Sequence, residues 1–516
     1  MLAACLVAGA ATIGCGDGDG TDLATLTPPD VPLYLELVVQ PDGDQAEAIT
    51  SFSERLAGIP DPGERLAAAV DDQLADNGVE LSYAEDVERW LGEHAALFVR
   101  SFETGPAAAG TPDSALILEV ADVEAARSFI DRAAGSDPAS ERARSHAGVD
   151  YYALGAPGSA AIGLVENAVV VGTEMSLRVA IDAADGQSLA ESEEHAARAG
   201  ALGEDLLATA SLDPAAVIEA AIASGDVDRA DLRPIEPLLD GPLSEPIAIG
   251  LSATPETATA DFAAIVDDRR RIATEASLLE SLPGGSWLAA GIPDFGPTIG
   301  LLLDNLANGG IPGGDSVVER FRAETGIDLA ADLTDWLGDA AGFVRGAAVP
   351  GLSAGLVAEV DDPRRARASI ELLERLAERD TGLRSTGPPA GAEHGFSLGL
   401  PSLGGGVEAG IAGDRAAAVL GGTVTDALDP EQALGGDERF WTAADALGEQ
   451  FSAGFYLDLP AALAAARAAG GLDQLDRLDD SAAAGLAAIE LVSAGSRLDN
   501  HLGVTRLTVT LGEQDG

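Results

Sequence analysis

Lysine is missing from this chain of 516 residues, and all 30 of its basic residues are arginine. A phosphate-binding P-loop, a Schiff-base enzyme and a Ser-x-x-Lys acyl enzyme each need a lysine amine, so these classes are excluded. Cysteine occurs only at Cys5 and Cys15. Disulfides, thiolate nucleophiles and cysteine-ligated metal sites are therefore excluded from the folded body.

Basic charge and aromatic residues are both scarce. Aspartate and glutamate number 86, which gives a formal net charge of −56. A surface this acidic repels phosphates, so we expect no nucleic-acid partner and interpret the acidity as an aid to solubility. Aromatic residues make up 4% and hydrophobic residues 46%. This composition is typical of a globular chain, and the length predicts two or more domains.

An apolar run opens the chain at residues 2–14. Its 13 residues are too few to cross a hydrocarbon layer roughly 30 Å thick as a helix, but they match the apolar part of a secretory signal. The following Thr12-Ile13-Gly14-Cys15 resembles a bacterial lipobox, whose cysteine becomes the acylated N-terminus. We therefore expect residues 1–15 to be a signal and lipoprotein leader with the lipid on Cys15. A simple cleaved signal is the alternative.

Residues 16–27 are rich in glycine and aspartate. A calcium loop would need a third ligand where Thr21 stands, and a later glutamate that is absent at the required spacing. The composition instead predicts a flexible acidic tether, which for twelve residues has an r.m.s. reach of roughly 20 Å. Such a tether would hold the body clear of a membrane to which the lipid is attached.

The remainder of the chain contains an internal repeat of two similar copies. Trp90 and Trp336 lie 246 positions apart in similar contexts, and further correspondences recur at nearly the same spacing. This pattern predicts a tandem of two similar units, residues 28–267 and 282–512. A linker helix at 268–281 is expected between them, and residues 513–516 form a tail.

The repeated segment predicts a short capped helix that leads into a strand. Ser82 begins it in the first copy and Asp328 in the second, and both residue types are preferred N-caps. Gly92 and Gly338 follow where a helix commonly ends in a left-handed residue. We interpret these four residues as structural.

Trp90 and Trp336 stand on the apolar stripe of these predicted helices. We expect each indole to pin its helix to the sheet, the alternative being a tryptophan that stacks on a ligand. Closely spaced strands joined by tight turns outnumber strand–helix–strand crossovers elsewhere in both copies. The fold class expected is therefore α+β, with a mixed, mainly antiparallel sheet and helices in each unit.

Three motifs carry a family resemblance: the opening Pro-Pro-Asp-Val-Pro-Leu-Tyr at residues 28–34, the Asp-Val-x-x-Trp-Leu-Gly core at 86–92, and Glu-Val-x-Asp at 119–122. Through them the chain resembles a bacterial family known as domain of unknown function 3352. The resemblance covers most of residues 28–510. It implies a secreted or lipid-anchored protein, and no activity comes with it.

Candidate catalytic and metal motifs are weak. Ser353 lies in Gly-Leu-Ser-Ala-Gly, but a nucleophile elbow needs a strand before the serine and a helix after it. Here the serine leads directly into a predicted strand, which favours a hairpin turn. The five histidines lack His-Glu-x-x-His spacing. We therefore expect no catalytic residue, no metal and no cofactor.

The leading hypothesis is a non-catalytic lipoprotein on the outer face of a bacterial cytoplasmic membrane. It would act by binding or by organising the envelope, with an unknown envelope protein or a small apolar ligand as partner. A carrier of an apolar ligand in a cleft between the two units is one alternative. A serine hydrolase that uses Ser353 with a distant histidine and acid is the other.

Overall fold

A computed structural model of the chain describes residues 22–76, 81–102, 112–136, 143–154, 160–224, 245–266, 277–307, 314–347, 351–400, 405–470 and 480–512. These residues form two compact units. The first unit contains the described residues up to 266, and the second contains those from 277 onward.

The described part of the first unit forms ten strands: β1 Leu33–Val38, β2 Leu91–Ser101, β3 Asp113–Val120, β4 Arg144–His146, β5 Val149–Leu154, β6 Ala160–Val165, β7 Ala168–Gly172, β8 Ala208–Leu212, β9 Ile247–Ala253 and β10 Thr257–Ile265. They pair in the order β4-β5-β6-β7-β3-β2-β1-β8-β9-β10, and every pairing is antiparallel.

The described part of the second unit forms nine strands: β11 Ser286–Ile292, β12 Leu337–Arg345, β13 Ser353–Val360, β14 His394–Leu400, β15 Gly405–Ala412, β16 Arg415–Leu420, β17 Ser452–Asp458, β18 Ile489–Asp499 and β19 Leu502–Leu511. Their order is β14-β15-β16-β13-β12-β11-β17-β18-β19, again antiparallel throughout. With β4 set aside, each strand has a counterpart at the same place in the first unit.

Helices connect the strands and cover the sheets. In the first unit they are Leu23–Leu26, Gly43–Ala57, Pro62–Asp76, Tyr83–Val87, Val123–Ser136, Glu174–Ala184, Leu189–Glu191, Glu193–Ala199 and Pro214–Ser224. In the second they are Ser277–Glu280, Phe295–Ala307, Gly314–Thr325, Leu329–Thr334, Pro363–Thr381, Val424–Leu428, Leu434–Gly436, Glu438–Asp445, Leu459–Ala468 and Asp480–Ala488. Within the described ranges, no helix has the length and apolarity needed to cross a membrane.

Alternation along the strands places a core on each face of the first sheet. Ile117 and its neighbours on one face pack against Leu177 of the helix Glu174–Ala184. Leu118 on the other face packs with Phe129 of the helix Val123–Ser136. The prediction of an α+β fold with an antiparallel sheet is thus confirmed.

The predicted tether and linker were both too long, because each included a helical turn that belongs to the core of a unit. Leu23 and Leu26 have no exposed surface, so the turn Leu23–Leu26 belongs to the core of the first unit instead of a tether. Residues 16–21, like 267–276, lie outside the described residues. The turn Ser277–Glu280 belongs to the core of the second unit, where Leu279 is 2% exposed. The described part of each unit therefore begins with a buried helical turn. Neither turn was predicted, because the preceding sequence is rich in glycine in the first unit and in arginine in the second.

Candidate functional site

The structure buries both tryptophans of the repeated segment, and they differ in their partners. Trp90 is 1% exposed, donates from Nε1 to the Asp86 carbonyl at 2.7 Å, and lies 5.0 Å from the Phe129 ring. Trp336 is 4% exposed, but its Nε1 has no hydrogen-bond partner among the described residues. Ser369, which stands at the place of Phe129, donates instead to the Asp332 carbonyl.

The predicted helix caps lie at the start of π-helical turns, not α-helical ones. Ser82 Oγ accepts from the Glu85 amide, and the Ser82 amide donates to Asp86 Oδ2 at 2.9 Å. In a capping box the third residue after the cap, here Glu85, bonds back to the cap amide, but in this turn Asp86 fills that role. In the second unit Asp328 accepts from the Ala331 amide.

Gly92 and Gly338 do not end helices in a left-handed conformation, which corrects the sequence prediction. Both are the second residue of a strand, and neither has a positive φ. A Cβ on Gly92 would lie 2.6 Å from Cγ of Glu119, whose side chain crosses directly above it. Glycine is required there because of this close approach.

The remaining predicted site residues contribute no assembled site. Ser353 is the first residue of β13 and is 4% exposed. Its Oγ has no hydrogen-bond partner in the described part of the chain, and the strand-to-helix turn of an elbow is absent at this serine. Cys15 lies outside the described residues. No group of three or more histidine, cysteine or acidic side chains within the described ranges could hold a metal ion.

A polar cluster that the sequence did not reveal lies inside the first unit. It begins at a bulge in β2, where Gly92–His94 face the single residue Glu119 of β3. The bulge turns His94 inward, and bulges commonly redirect a side chain in this way. Glu119 Oε2 accepts from the His94 backbone amide at 2.9 Å and lies 3.1 Å from Nδ1. The hydrogen bond to Glu119 raises the pKa of His94.

Glu36 on β1 lies on the same face of the sheet as His94, because their strands are paired in register. Burial raises the pKa of Glu36, and Tyr34 donates a hydrogen bond to its carboxylate at 2.5 Å. Asp22, which caps the first helical turn, adds its negative charge to this effect. The interior of the unit thus contains two carboxyl groups beside an imidazole.

His195 and Arg198 extend the cluster from the helix Glu193–Ala199. The imidazole of His195 meets the Tyr34 ring edge-on at 6.1 Å. Arg198 is 5% exposed. Nδ1 of His195 and both Nε and Nη1 of Arg198 are buried without a hydrogen-bond partner among the described residues. Burial, followed by the charge of Arg198, lowers the pKa of His195.

The second unit fills the same places with apolar side chains. Phe440 and Ala443, each 1% exposed, occupy the positions of His195 and Arg198 on the helix Glu438–Asp445. The bulge in β12 is one residue shorter, because Gly338 and Asp339 alone face Glu359. Two small residues, Ala289 and Gly291, stand at the places of Tyr34 and Glu36 on β11.

A tyrosine still fills this layer of the second unit, but it comes from the neighbouring strand. Tyr456 of β17 faces Ala289, whereas in the first unit Tyr34 faces Ser211. Its ring meets Phe440 edge-on at 5.6 Å, and burial raises the pKa of Tyr456 to about 12. The fold therefore accepts Phe440 and Ala443 at the two helix positions where the first unit has His195 and Arg198, while Arg439 forms a hydrogen bond with the Tyr456 side chain.

Two other sets of charges, one in each unit, are paired in networks of hydrogen bonds. Burial alone would raise the pKa of Glu174, but hydrogen bonds from Arg144 and Tyr151 and the charge of Arg178 lower it. In the second unit Arg439 bonds to Asp458 at 2.7 Å and to a further carboxylate. Against these networks, the unsatisfied nitrogens of His195 and Arg198 stand out.

Residues 24–497 match the family described as "Protein of unknown function (DUF3352)". The chain belongs to this family. The resemblance predicted from the sequence is thereby confirmed. DUF3352 carries no activity in its description, and a search of curated proteins found no match to the chain.

One solved structure similar to the chain is titled "Structure of crystal form I of TP0453". It is 8% identical, and the alignment covers 49% of this chain and 81% of the other with a TM-score of 0.24. A score this low carries no argument about fold or function, so the polar cluster must be interpreted from its own geometry.

Proposed function

We propose that this DUF3352 protein is a lipoprotein, held on the outer face of the bacterial cytoplasmic membrane through Cys15, and that it acts by binding and not by catalysis. The lipobox-like Thr12-Ile13-Gly14 before Cys15 supports the anchor. Only residues 16–21 separate Cys15 from Asp22, which caps the buried turn Leu23–Leu26, so a lipid on Cys15 would hold the first unit close to the membrane. Six residues span at most about 20 Å when fully extended.

The anchor is tested with two serine variants and mass spectrometry of the membrane fraction. Cys15→Ser is expected to move the protein into the soluble fraction and to remove a diacylglyceryl mass. Cys5→Ser is the matched control, since its sulfur is expected to lie in the removed leader. A protein that stays lipidated in Cys15→Ser, or loses its lipid in Cys5→Ser, would contradict attachment at Cys15.

The contrast between the two units carries the proposed binding role. His195 and Arg198 place unsatisfied polar nitrogens in a core layer that Phe440 and Ala443 fill without them. Burying a charge or an unpaired donor is costly, so a fold gains nothing from these groups. Residues that break the rules of packing where a counterpart obeys them are candidates for function.

The binding role is tested by native mass spectrometry of protein extracted from its own membrane in mild detergent. The wild type is expected to carry a non-covalent adduct that disappears on unfolding. The double variant His195→Phe/Arg198→Ala, which introduces the residues of the second unit, is expected to carry none. The same adduct on both proteins, or no adduct on the wild type, would contradict a ligand in this cluster.

We further propose that the two units arose by tandem duplication. Nine strands correspond in order, and Trp90 and Trp336 both follow a π-helical turn capped at Ser82 or Asp328. The buried turn at the start of each unit also accepts a matching hydrogen bond. The Leu189 amide donates to the Thr27 carbonyl, and the Leu434 amide donates to the Leu282 carbonyl, both at 2.7 Å. Profiles of the isolated halves of related chains that fail to detect one another would contradict a common origin.

A further inference from the structure

The helix Glu193–Ala199 directs two nitrogen-bearing side chains into the first unit. His195 and Arg198 are three positions apart and therefore lie on the same side of the helix. Their three buried nitrogens, Nδ1 of the imidazole and Nε and Nη1 of the guanidinium, lack hydrogen-bond acceptors in the described part of the chain. Buried polar groups of native proteins are almost always hydrogen-bonded, so the two arginine donors call for an acceptor, and Nδ1 of His195 calls for a partner that its tautomer decides.

The neighbouring acidic groups do not supply that acceptor. Glu194, whose side chain is 73% exposed, lies 3.7 Å from Nη1 of Arg198, which is beyond hydrogen-bond distance. Asp22 is the other carboxylate that acts on His195, and its Oδ1 already accepts from the Ala24 amide. A guanidinium cannot lose its proton in a protein, so Arg198 keeps its charge in the interior.

We propose that this side of the helix binds a small anion, a carboxylate or an oxyanion such as phosphate, through Arg198 and His195. The proposal rests on the binding role proposed above and names its ligand class. A guanidinium presents its N–H groups as a fork that matches the two oxygens of either anion. In the tautomer that carries its proton on Nδ1, the neutral imidazole of His195 adds one donor without adding a second charge.

The rest of the molecule makes this assignment specific. The net charge of −56 repels anions, so saturable anion binding has to come from local donors. Phe440 and Ala443 offer no side-chain donor at the matching place in the second unit, so we expect this anion site in the first unit and not at its counterpart.

The experiment titrates the full-length protein in detergent with inorganic phosphate and, separately, with acetate, while sodium chloride holds the ionic strength constant. Histidine ring resonances report binding at His195. A saturable shift of this resonance is expected, and the preferred anion distinguishes an oxyanion ligand from a carboxylate. Arg198→Met is expected to weaken binding by roughly tenfold or more, the loss of a charge-assisted hydrogen-bonded pair. Arg89→Met removes an exposed arginine of the same unit and should leave binding unchanged.

The proposal is overturned if neither anion shifts the His195 resonance saturably, or if Arg198→Met and Arg89→Met weaken binding equally. Should Arg198→Met not fold by circular dichroism, Arg198→Lys decides, because it keeps the charge but loses the fork and is expected to bind more weakly. An adduct in native mass spectra without any response to phosphate or acetate overturns the anion class and leaves the binding role standing. If the protein shows neither an adduct nor a response to phosphate or acetate, both the anion class and the binding role are overturned.

Discussion

The two units share one strand order, and their interiors differ most clearly in polarity at the positions of His195 and Arg198. In the first unit His195 packs on Tyr34 with Arg198 beside it, and in the second Phe440 packs on Tyr456 with Ala443 beside it. The second unit shows that this fold needs no polar group at these places. If the polar pair serves a ligand, as proposed above, the first unit gives up stability to keep His195 and Arg198 inside.

The largest effect is expected when the polar pair is transferred to the second unit. Phe440→His/Ala443→Arg would bury a charge in a layer built from apolar side chains, at a loss of at least about 5 kcal/mol. Chemical denaturation would show the second unit unfolding first. Thr442→Arg, on the exposed side of the same helix, is the control and should change stability by less than about 0.5 kcal/mol. A double variant as stable as this control would break the comparison.

The two tryptophans sharpen the comparison at a second place. Trp90→Ala is expected to cost about 3–5 kcal/mol, as other large core truncations do. Trp336→Ala is expected to cost roughly 1–2 kcal/mol less, because among the described residues this indole has neither the hydrogen bond nor the ring contact that Trp90 has in Asp86 and Phe129. Equal losses in denaturant titrations would mean that these contacts contribute little.

A smaller loss of stability, which depends on pH, is expected when His94 is replaced. Because its bond to Glu119 raises the pKa of His94, the folded state holds this proton more tightly than the unfolded state does. The stabilisation of the folded state by this proton is fully present below the unfolded pKa of about 6.5, and it is lost as pH rises through the higher folded pKa. His94→Gln should therefore lower the melting temperature more at about pH 5.5 than at about pH 9. A difference that grows with pH would contradict the assignment.

Much of the fold could be predicted from the sequence because its signals are local. Alternating apolar residues and tight turns marked the hairpins, and the cap residues Ser82 and Asp328 marked the starts of the repeated segments. The predicted boundaries of two segments were wrong, because their residue composition indicated a different structure. Glycine and aspartate before Leu23 concealed a buried turn, and Gly92 proved to be a place of close approach and not a helix end.

The polar cluster could not be predicted because it is assembled by tertiary structure. His94 and His195 are about a hundred positions apart, and no motif spacing connects them. One signal was nevertheless present. At a spacing of 245 positions His195 corresponds to Phe440 and Arg198 to Ala443, so the copies differ in polarity at two neighbouring core positions. A position-by-position comparison of the repeats would have singled out this pair.

The central claim, that His195 and Arg198 serve a ligand and not the fold, is tested most directly by the free energy of unfolding of His195→Phe/Arg198→Ala. Replacing buried charged groups with well-packed apolar ones is expected to stabilise the first unit by about 1–4 kcal/mol, measured by denaturant titration without added anions. A double variant that is less stable than the wild type would show that the polar pair supports the fold, and it would contradict the account.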